Sequence, residues 1–480
     1  MTQIDLTNFN RDSNWNEVRA CIVGLGVAGF AAADALVHLN AKVIVRDANE
    51  GQRQKERATI LEILGADVAF GDDTTLPADI DVLIVSPGVS PLAPIILAAQ
   101  AAGVPVWGEL ELAWRLRDQQ NLAPWLVITG TNGKTTATLM LESILQAAGL
   151  RAVAAGNIGR SLVEVIMDPR PWDAIAIEVG APQLPFVYSM SPLASVCLNL
   201  APDHIDLFGS FESYREAKAR IYRNTQVAAI FNVADPATIE MVQEAEVVDG
   251  CRAVGFSLGI PDVSMVGVVD EFLVDRAFLD SRKDSALELA SVDDLKIPAQ
   301  HNISNALAAS ALARAFGIEP RHIRDGLRAW QPAPHRIAHV ASISGVDYVD
   351  DSKATNTHAA QTSLNAYNCV VWIAGGLAKG QDFDELVQDA AHRLRAVVLL
   401  GADQEVIATA LAKYAPNVPV QRFEGTQIDA MQTVVAMAQS VAQVGDTVLL
   451  APGCASWDMF RDYAQRGEAF VSAVENLEAR

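Results

Sequence analysis

Three times along the chain a short apolar run turns at glycines into a helical pattern. It does so at Arg19-Ala-Cys-Ile-Val-Gly-Leu-Gly26, at Trp125-Leu-Val-Ile-Thr-Gly-Thr-Asn-Gly-Lys-Thr-Thr136 and at Val370-Val-Trp-Ile-Ala-Gly-Gly376. A buried strand followed at once by a helix packs that helix back onto a parallel sheet, which confines the chain to the α/β class. Further apolar runs, at 396–400 (AVVLL) and 446–452 (DTVLLAP), keep the alternation going to the C-terminal region. At 480 residues the chain has material for about three domains, each with its own core. The expected architecture is a Rossmann-like N-terminal domain over 1–117, a central P-loop ATPase-like parallel-sheet domain over 118–333 and a Rossmann-like C-terminal domain over 334–480. The divisions rest on the polar stretch Arg115 to Asn121 and on Gln331 to Pro334, where QPAP interrupts a helical pattern. No solenoid period is visible.

Charge narrows the partners. With 36 basic and 58 acidic residues the net charge is −22, which repels nucleic acid and anionic lipid surfaces. Small phosphate ligands are still admitted, because backbone amides at a helix start bind anions locally. The opening MTQIDLTNFNRDSNWNEVR has no basic start followed by an apolar core, so the expected location is the cytoplasm. Two long uncharged stretches, Val82 to Gly108 and Val179 to Pro202, are broken by Pro87, Pro91, Pro94 and Pro105 and by Pro182, Pro185 and Pro192. They read as buried strands joined by turns, not as membrane spans. Cys21, Cys197, Cys251, Cys369 and Cys454 are scattered, odd in number and without CxxC pairs, so they indicate neither a zinc site nor a disulfide framework.

The middle opening carries the most chemistry. An apolar strand leads into Gly130, Thr131, Asn132 and Gly133, and then Lys134, Thr135 and Thr136 start a helix. Glycines let backbone N–H groups approach phosphate oxygens, and the helix start adds partial positive charge. Lys134 suits the β and γ phosphates of ATP, and the Thr135 hydroxyl suits Mg²⁺. The loop is shorter than GxxxxGK[ST], with Ile128 where the first glycine of that pattern stands. Glu178 follows the apolar run Ala174 to Ile177, a position where a carboxylate meets a phosphate-bound metal; by itself it equally suits a solvated strand end. Farther on come Asp203-His204-Ile205-Asp206 and, fourteen residues after His204, Lys218 on the pattern Glu212 to Tyr222. An ammonium cannot bind a metal, so Lys218 needs its charge removed before it can serve there.

Together, GTNGKTT, the strand-end glutamate, DHID and EAKARIY resemble the Mur ligases, with folylpolyglutamate synthases as relatives. The resemblance implies ATP and Mg²⁺ as cofactors and an amide bond made through an acyl-phosphate. It implies a carbamylated Lys218 sharing a second Mg²⁺ with His204, with Lys134, Glu178, His204 and Lys218 as the catalytic set. The N-terminal Gly24-Leu-Gly26-Val27-Ala-Gly29 fits GxGxxG, and Asp47 closes the next strand. Alone this suggests a dinucleotide. Within the family it resembles the members whose first domain holds a UDP moiety, placing Gly26, Val27, Gly29, Asp47 and the Gly88 turn around it, with Asn157 orienting the acyl donor.

The C-terminal third narrows the branch. His335-Arg336, Tyr348 through Asn356, Gly375 through Gly380 and Ala451 through Phe460 with Gln465-Arg466-Gly467 resemble the glutamate-adding members. The implied substrates are UDP-N-acetylmuramoyl-L-alanine and D-glutamate. His301-Asn302 and Asn305 face the adenine in that comparison, and Arg336 and Asp351 hold the nucleotide. Lys353, Thr355, Lys379 and Ser456, with the Tyr463 backbone, hold the amino acid. A monomer without nucleic-acid or membrane partners is expected, its domains closing around the reactants. The chain departs from the family after Glu178, where Val179-Gly180-Ala181 replace a run with two serines, at Leu377, where relatives carry an acid, and at Ala48-Asn49. A ligase of the same fold adding another amino acid, a folate-tail ligase, an NAD oxidoreductase and a non-catalytic sensor of a UDP-sugar are the rival readings.

Overall fold

The computed structural model describes residues 4–72, 74–203, 205–332, 335–425 and 430–478. Three sheets account for the strands. The first contains β1 (Arg19–Val23), β2 (Lys42–Asp47), β3 (Asp67–Phe70), β4 (Val82–Val85) and β5 (Val106–Gly108), ordered β3-β2-β1-β4-β5 and parallel throughout. Strand order reverses between β1 and β4, which opens a crevice at their carboxyl ends. The second contains β6 (Trp125–Thr129), β7 (Ala152–Gly156), β8 (Ala174–Glu178), β9 (Ala194–Cys197), β10 (Ala228–Asn232), β11 (Arg252–Phe256), β12 (Met265–Val269), β13 (Phe272–Asp275) and β14 (Leu287–Ser291). Its order is β14-β13-β12-β11-β10-β9-β6-β8-β7, so β6 lies between β9 and β8. The third contains β15 (Ala338–Ile343), β16 (Val346–Asp350), β17 (Val370–Gly375), β18 (Leu394–Leu400), β19 (Val420–Arg422) and β20 (Thr447–Leu450), ordered β15-β16-β20-β17-β18-β19.

The expectation of parallel sheets holds for the strands that carry the glycine loops. It needs correction at two edges, where β12, β13 and β14 pair antiparallel and β15 pairs antiparallel with β16. A short turn joins β12 to β13 and another joins β15 to β16, while residues 276–286 join β13 to β14. Ser344 and Gly345 take φ +53° and +78°, the double positive φ of a two-residue hairpin. The stretch Val82 to Gly108 also differs from its reading as strands and turns, because Pro94–Ala101 is a helix opened by a proline in its first turn. Among the described residues no helix is long and apolar enough to cross a membrane.

The chain divides into two compact units, Met1–Leu200 with Leu207–Gln331, and Ala201–Asp206 with Pro332–Arg480. The first unit holds two sheets over a shared core in which Ile22 and Val45 of the first sheet join Trp125, Val127 and Ile175 of the second. Helix Lys134–Ala147 packs on helices Gln300–Phe316 and Pro320–Ala329. There a Cβ at Gly326 would overlap the Ile144 backbone, so only glycine admits the approach. The expected division at 333/334 falls on residues outside those described.

Candidate functional site

Strand β6 ends at Thr129, and the loop Gly130–Gly133 leads into helix Lys134–Ala147. Gly133 has φ +83°, and a Cβ there would overlap Asn305 Oδ1. Two predicted nucleotide residues thus lie against each other, 172 positions apart in sequence. The Lys134 ammonium donates to the carbonyls of Gly130 and Thr131, both at 2.8 Å. Asn199, just beyond β9, braces the loop: its Oδ1 accepts from Asn132 N at 2.9 Å, and its Nδ2 donates to Asn132 O at 3.1 Å. Sequence reasoning missed Asn199, since nothing local distinguishes it from a turn asparagine. Asn302, 6% exposed, donates from Nδ2 to Ile297 O.

Register brings Glu178 to the loop. Ile128 pairs with Glu178 across β6 and β8, and Gly156 pairs with Glu178 across β7 and β8. The Glu178 carboxylate, 2% exposed, accepts from Thr135 Oγ1 at 2.7 Å and from Asn157 Nδ2 at 2.9 Å. A buried carboxylate and a hydroxyl at this spacing form a hard-oxygen donor pair suited to Mg²⁺. Glu178 is therefore no solvated strand end. The replacement of the two serines has a local answer as well. Gln183 Oε1 caps Gly180 N at 2.8 Å, while the polar neighbours of Glu178 come from Thr135 and Asn157.

Lys218 sits on helix Phe211–Ala219, whose first turn Ser210 caps by accepting from Ser213 N. The side chain is 1% exposed and donates to Gly130 O at 2.9 Å and Thr129 Oγ1 at 3.2 Å. Tyr214 on the same helix shares a hydrogen bond of 3.0 Å with Thr131 Oγ1. Two lysine ammoniums, Lys134 and Lys218, therefore meet at one carbonyl, Gly130 O. His204 lies outside the described residues. Among the described residues no cluster of three His, Cys, Asp or Glu side chains forms a metal site.

Beside this centre, within the same unit, a cleft of 640 Å³ is lined by Gly24, Gly26, Val27, Asp47, Gly88 and Asn157 among others. It takes in every residue predicted to hold the UDP substrate except Gly29. At Gly29 a Cβ would overlap Gly24 O, so this glycine serves the close packing of helix start on loop. Asp47 hydrogen-bonds to the backbone: Oδ2 accepts from Leu25 N at 2.5 Å and Oδ1 from Asn49 N at 2.7 Å. It thereby shapes the glycine turn in addition to lining the cleft. Glu109, another lining residue that sequence reasoning missed, accepts from Ser161 Oγ at 2.5 Å and Leu162 N at 2.7 Å. Burial raises its pKa above the usual carboxyl range. In sequence it looks like a solvated acid in the first turn of a helix.

In the second unit the predicted amino-acid residues gather at the carboxyl ends of the adjacent parallel strands β16, β20 and β17. Lys353 Nζ stands 3.6 Å from the Tyr463 ring centre, and Lys379 Nζ 4.5 Å from that of Trp457. Thr355 N donates to Lys353 O, and Ser456 is buried. Arg466, 1% exposed, ties the blocks together by donating to Ser352 Oγ, Ser352 O and Cys454 O. At Gly376, φ +131°, a Cβ would overlap Ala455 O, so no other residue fits that crossing. His335 Nδ1 meets Asp350 Oδ2 at 2.6 Å, which raises the imidazole pKa. Arg336 follows it in sequence.

Asp351 is 6% exposed, and its carboxylate accepts from Ser363 Oγ and Ile337 N. Burial lifts its pKa from 3.8 to about 6, against the Ser363 hydroxyl and the Arg336 charge, which pull it down. The folded chain thus favours the protonated form. The resulting stability is complete below about pH 4 and is lost as pH rises through about 6. Asp351→Asn, neutral throughout, is expected to melt above the parent at pH 8, with a ceiling of about 3 kcal/mol for two pKa units. Melts from pH 4 to pH 8 check this; a gap that does not close toward pH 4 counts against it.

Comparison with known proteins identifies the family and the fold. Residues 18–108 match the Mur ligase MurD-like N-terminal domain, 128–313 the Mur ligase middle domain, and 335–454 the Mur ligase glutamate ligase domain. The chain is 53% identical over 467 residues to UDP-N-acetylmuramoylalanine--D-glutamate ligase of Streptomyces avermitilis, covering 97% of this chain and 100% of that one. With the ligase of the same name from Thermobifida fusca the identity is 50%, over 96% and 98%. Among solved structures, UDP-N-acetylmuramate-alanine ligase MurC of Thermotoga maritima shares the fold at TM-score 0.57 and 19% identity, covering 96% and 100%. MurF of Acinetobacter baumannii does so at 0.58 and 20%, covering 91% of each chain.

Proposed function

This chain belongs to the Mur ligase family, and from that membership we propose that it is the ATP-dependent ligase joining D-glutamate to UDP-N-acetylmuramoyl-L-alanine in peptidoglycan synthesis. The observation that carries the reading is identity of 50–53% over nearly the whole chain with relatives bearing that activity in their names. Family membership displaces the hydride-transfer and sensor readings. It also explains the N-terminal GxGxxG, which serves a UDP moiety.

The phosphates of ATP would lie along the loop Gly130, Thr131, Asn132, Gly133, Thr135 and Thr136 and on the Lys134 ammonium, Asn199 holding the Thr131 and Asn132 amides, with Asn302, Asn305, Arg336 and Asp351 as the nucleotide's further contacts. Thr135 and Glu178 would hold one Mg²⁺, and His204 with a carbamylated Lys218 a second; bound there, such ions neutralise phosphate and carboxylate charge. Carbamylation converts a second ammonium at Gly130 O into a carboxylate, which relieves the like-charge crowding with Lys134. The first cleft holds the UDP group through Gly26, Val27, Asp47 and Gly88, Gly29 shaping its glycine turn, and Asn157 orients the acyl donor. The alanyl carboxylate attacks the γ-phosphorus, ADP departs, and the D-glutamate amine then displaces phosphate from the acyl-phosphate. Lys353, Thr355, Lys379 and Ser456, with Tyr463, supply the cations and hydroxyls that suit a dianionic amino acid.

We place the domain divisions at 117/118 and 333/334, between the stretches matched by the three family domains. The enzyme works as a monomer in the cytoplasm, where ATP is supplied. Phosphate release from ATP, measured with UDP-N-acetylmuramoyl-L-alanine and a panel of amino acids, tests the assignment. D-glutamate alone is expected to stimulate release. Equal stimulation by L-glutamate or D-alanine, or none by D-glutamate, refutes it.

A further inference from the structure

At the amino ends of β6 and β8, opposite the phosphate loop, a second cleft of 310 Å³ opens in the first unit beside Ala123, ahead of β6, and Ile175 in β8. At about 3.3 Å per residue, a five-residue strand separates it from the nucleotide loop by roughly 17 Å. Its charged lining is Arg11, Asp12, Arg117, Asp118, Asp168 and Arg170.

Most of its acids already have donors. Asp168 accepts from Arg151 Nη2 at 3.1 Å and Arg170 N at 2.9 Å, and Asp118 accepts from Gln120 N at 2.9 Å and Asn121 Nδ2 at 3.0 Å. Asp12 is exposed to water. Arg117 differs. Its guanidinium lies 3.1 Å from the Trp114 ring centre and 5.8 Å from that of Trp125. Its Nε donates to Trp114 O at 2.8 Å, and among the described residues no carboxylate lies within 4.0 Å of it. Burial alone lowers its pKa, to about 10. A desolvated guanidinium stacked on an indole keeps its Nη edges for a planar oxyanion.

We propose that this cleft binds a small oxyanion, a carboxylate or phosphate group gripped by the Arg117 fork, with Arg11 and Arg170 adding charge. The volume, near the lower end for ligand pockets, suits inorganic phosphate or a short dicarboxylate and excludes a nucleotide. The site is separate from the phosphate loop and independent of the reaction assigned above.

Calorimetric titration of the full chain tests it, with inorganic phosphate in one arm and succinate in the other, the phosphate loop being filled beforehand by a non-hydrolysable ATP analogue with Mg²⁺. At least one anion should bind saturably. Arg117→Leu should weaken that binding about tenfold or more, the loss expected for a charge-assisted fork, while Lys134→Ala should retain it. Should Arg117→Leu fold poorly, the Arg11→Ala, Arg170→Ala double variant should still raise the Kd severalfold. Absence of saturable binding by both anions overturns the proposal. So does binding that is unchanged in the arginine variants or lost in Lys134→Ala.

Discussion

Glu178→Gln is expected to lower kcat about 10²- to 10³-fold, the range seen when a preorganised charge at a reacting phosphate is removed, while the protein still folds. The carboxylate occupies the end of β8, buried, with one oxygen on the Thr135 hydroxyl and the other on the Asn157 carboxamide. Glutamine keeps the shape and the strand register but withdraws the negative charge. It also turns an NH₂ toward Thr135 or Asn157, where an acceptor is needed. Thermal melts report the fold, and steady-state phosphate release over a range of Mg²⁺ reports the chemistry. Activity within tenfold of the parent at saturating Mg²⁺ would falsify the metal assignment.

Lys218→Ala should cost about three orders of magnitude, on the same grounds of lost charge stabilisation. Formate or acetate should restore part of the rate, and methylammonium none. The lysine is 1% exposed and shares Gly130 O with Lys134. If it acts as a carbamate, the missing group is a carboxylate, which a small acid can replace. If it acts as a cation that braces the loop carbonyl, the missing group is an ammonium and the rescue pattern inverts. The choice of rescuing ion therefore separates a modified ligand from a structural lysine, a distinction that loss of activity cannot make.

Legibility in the sequence followed locality. Gly130 to Thr136, the strand-end Glu178 and Asp47 closing β2 were readable because turn geometry, strand period and helix start act over a few residues. The antiparallel edges were not, although Ser344-Gly345 marked one of their hairpins. Asn199, Tyr214 and Glu109 left no signature. Each hydrogen-bonds to a group 52 to 83 positions away, and a lone polar residue does not announce its partner. Gly133 reads as a phosphate-loop glycine, yet its lack of a side chain also makes room for Asn305 from a helix far along the chain.

What the sequence by itself determined was the class of fold, the three glycine openings and the chemical types at the site, since periodicity and turn chemistry are written into neighbouring residues. Which groups meet was decided by tertiary structure. Strand order set β6 between β9 and β8, register aligned Ile128, Gly156 and Glu178, and burial then fixed the partners. A buried charge or amide must find its complement wherever the packed chain delivers it.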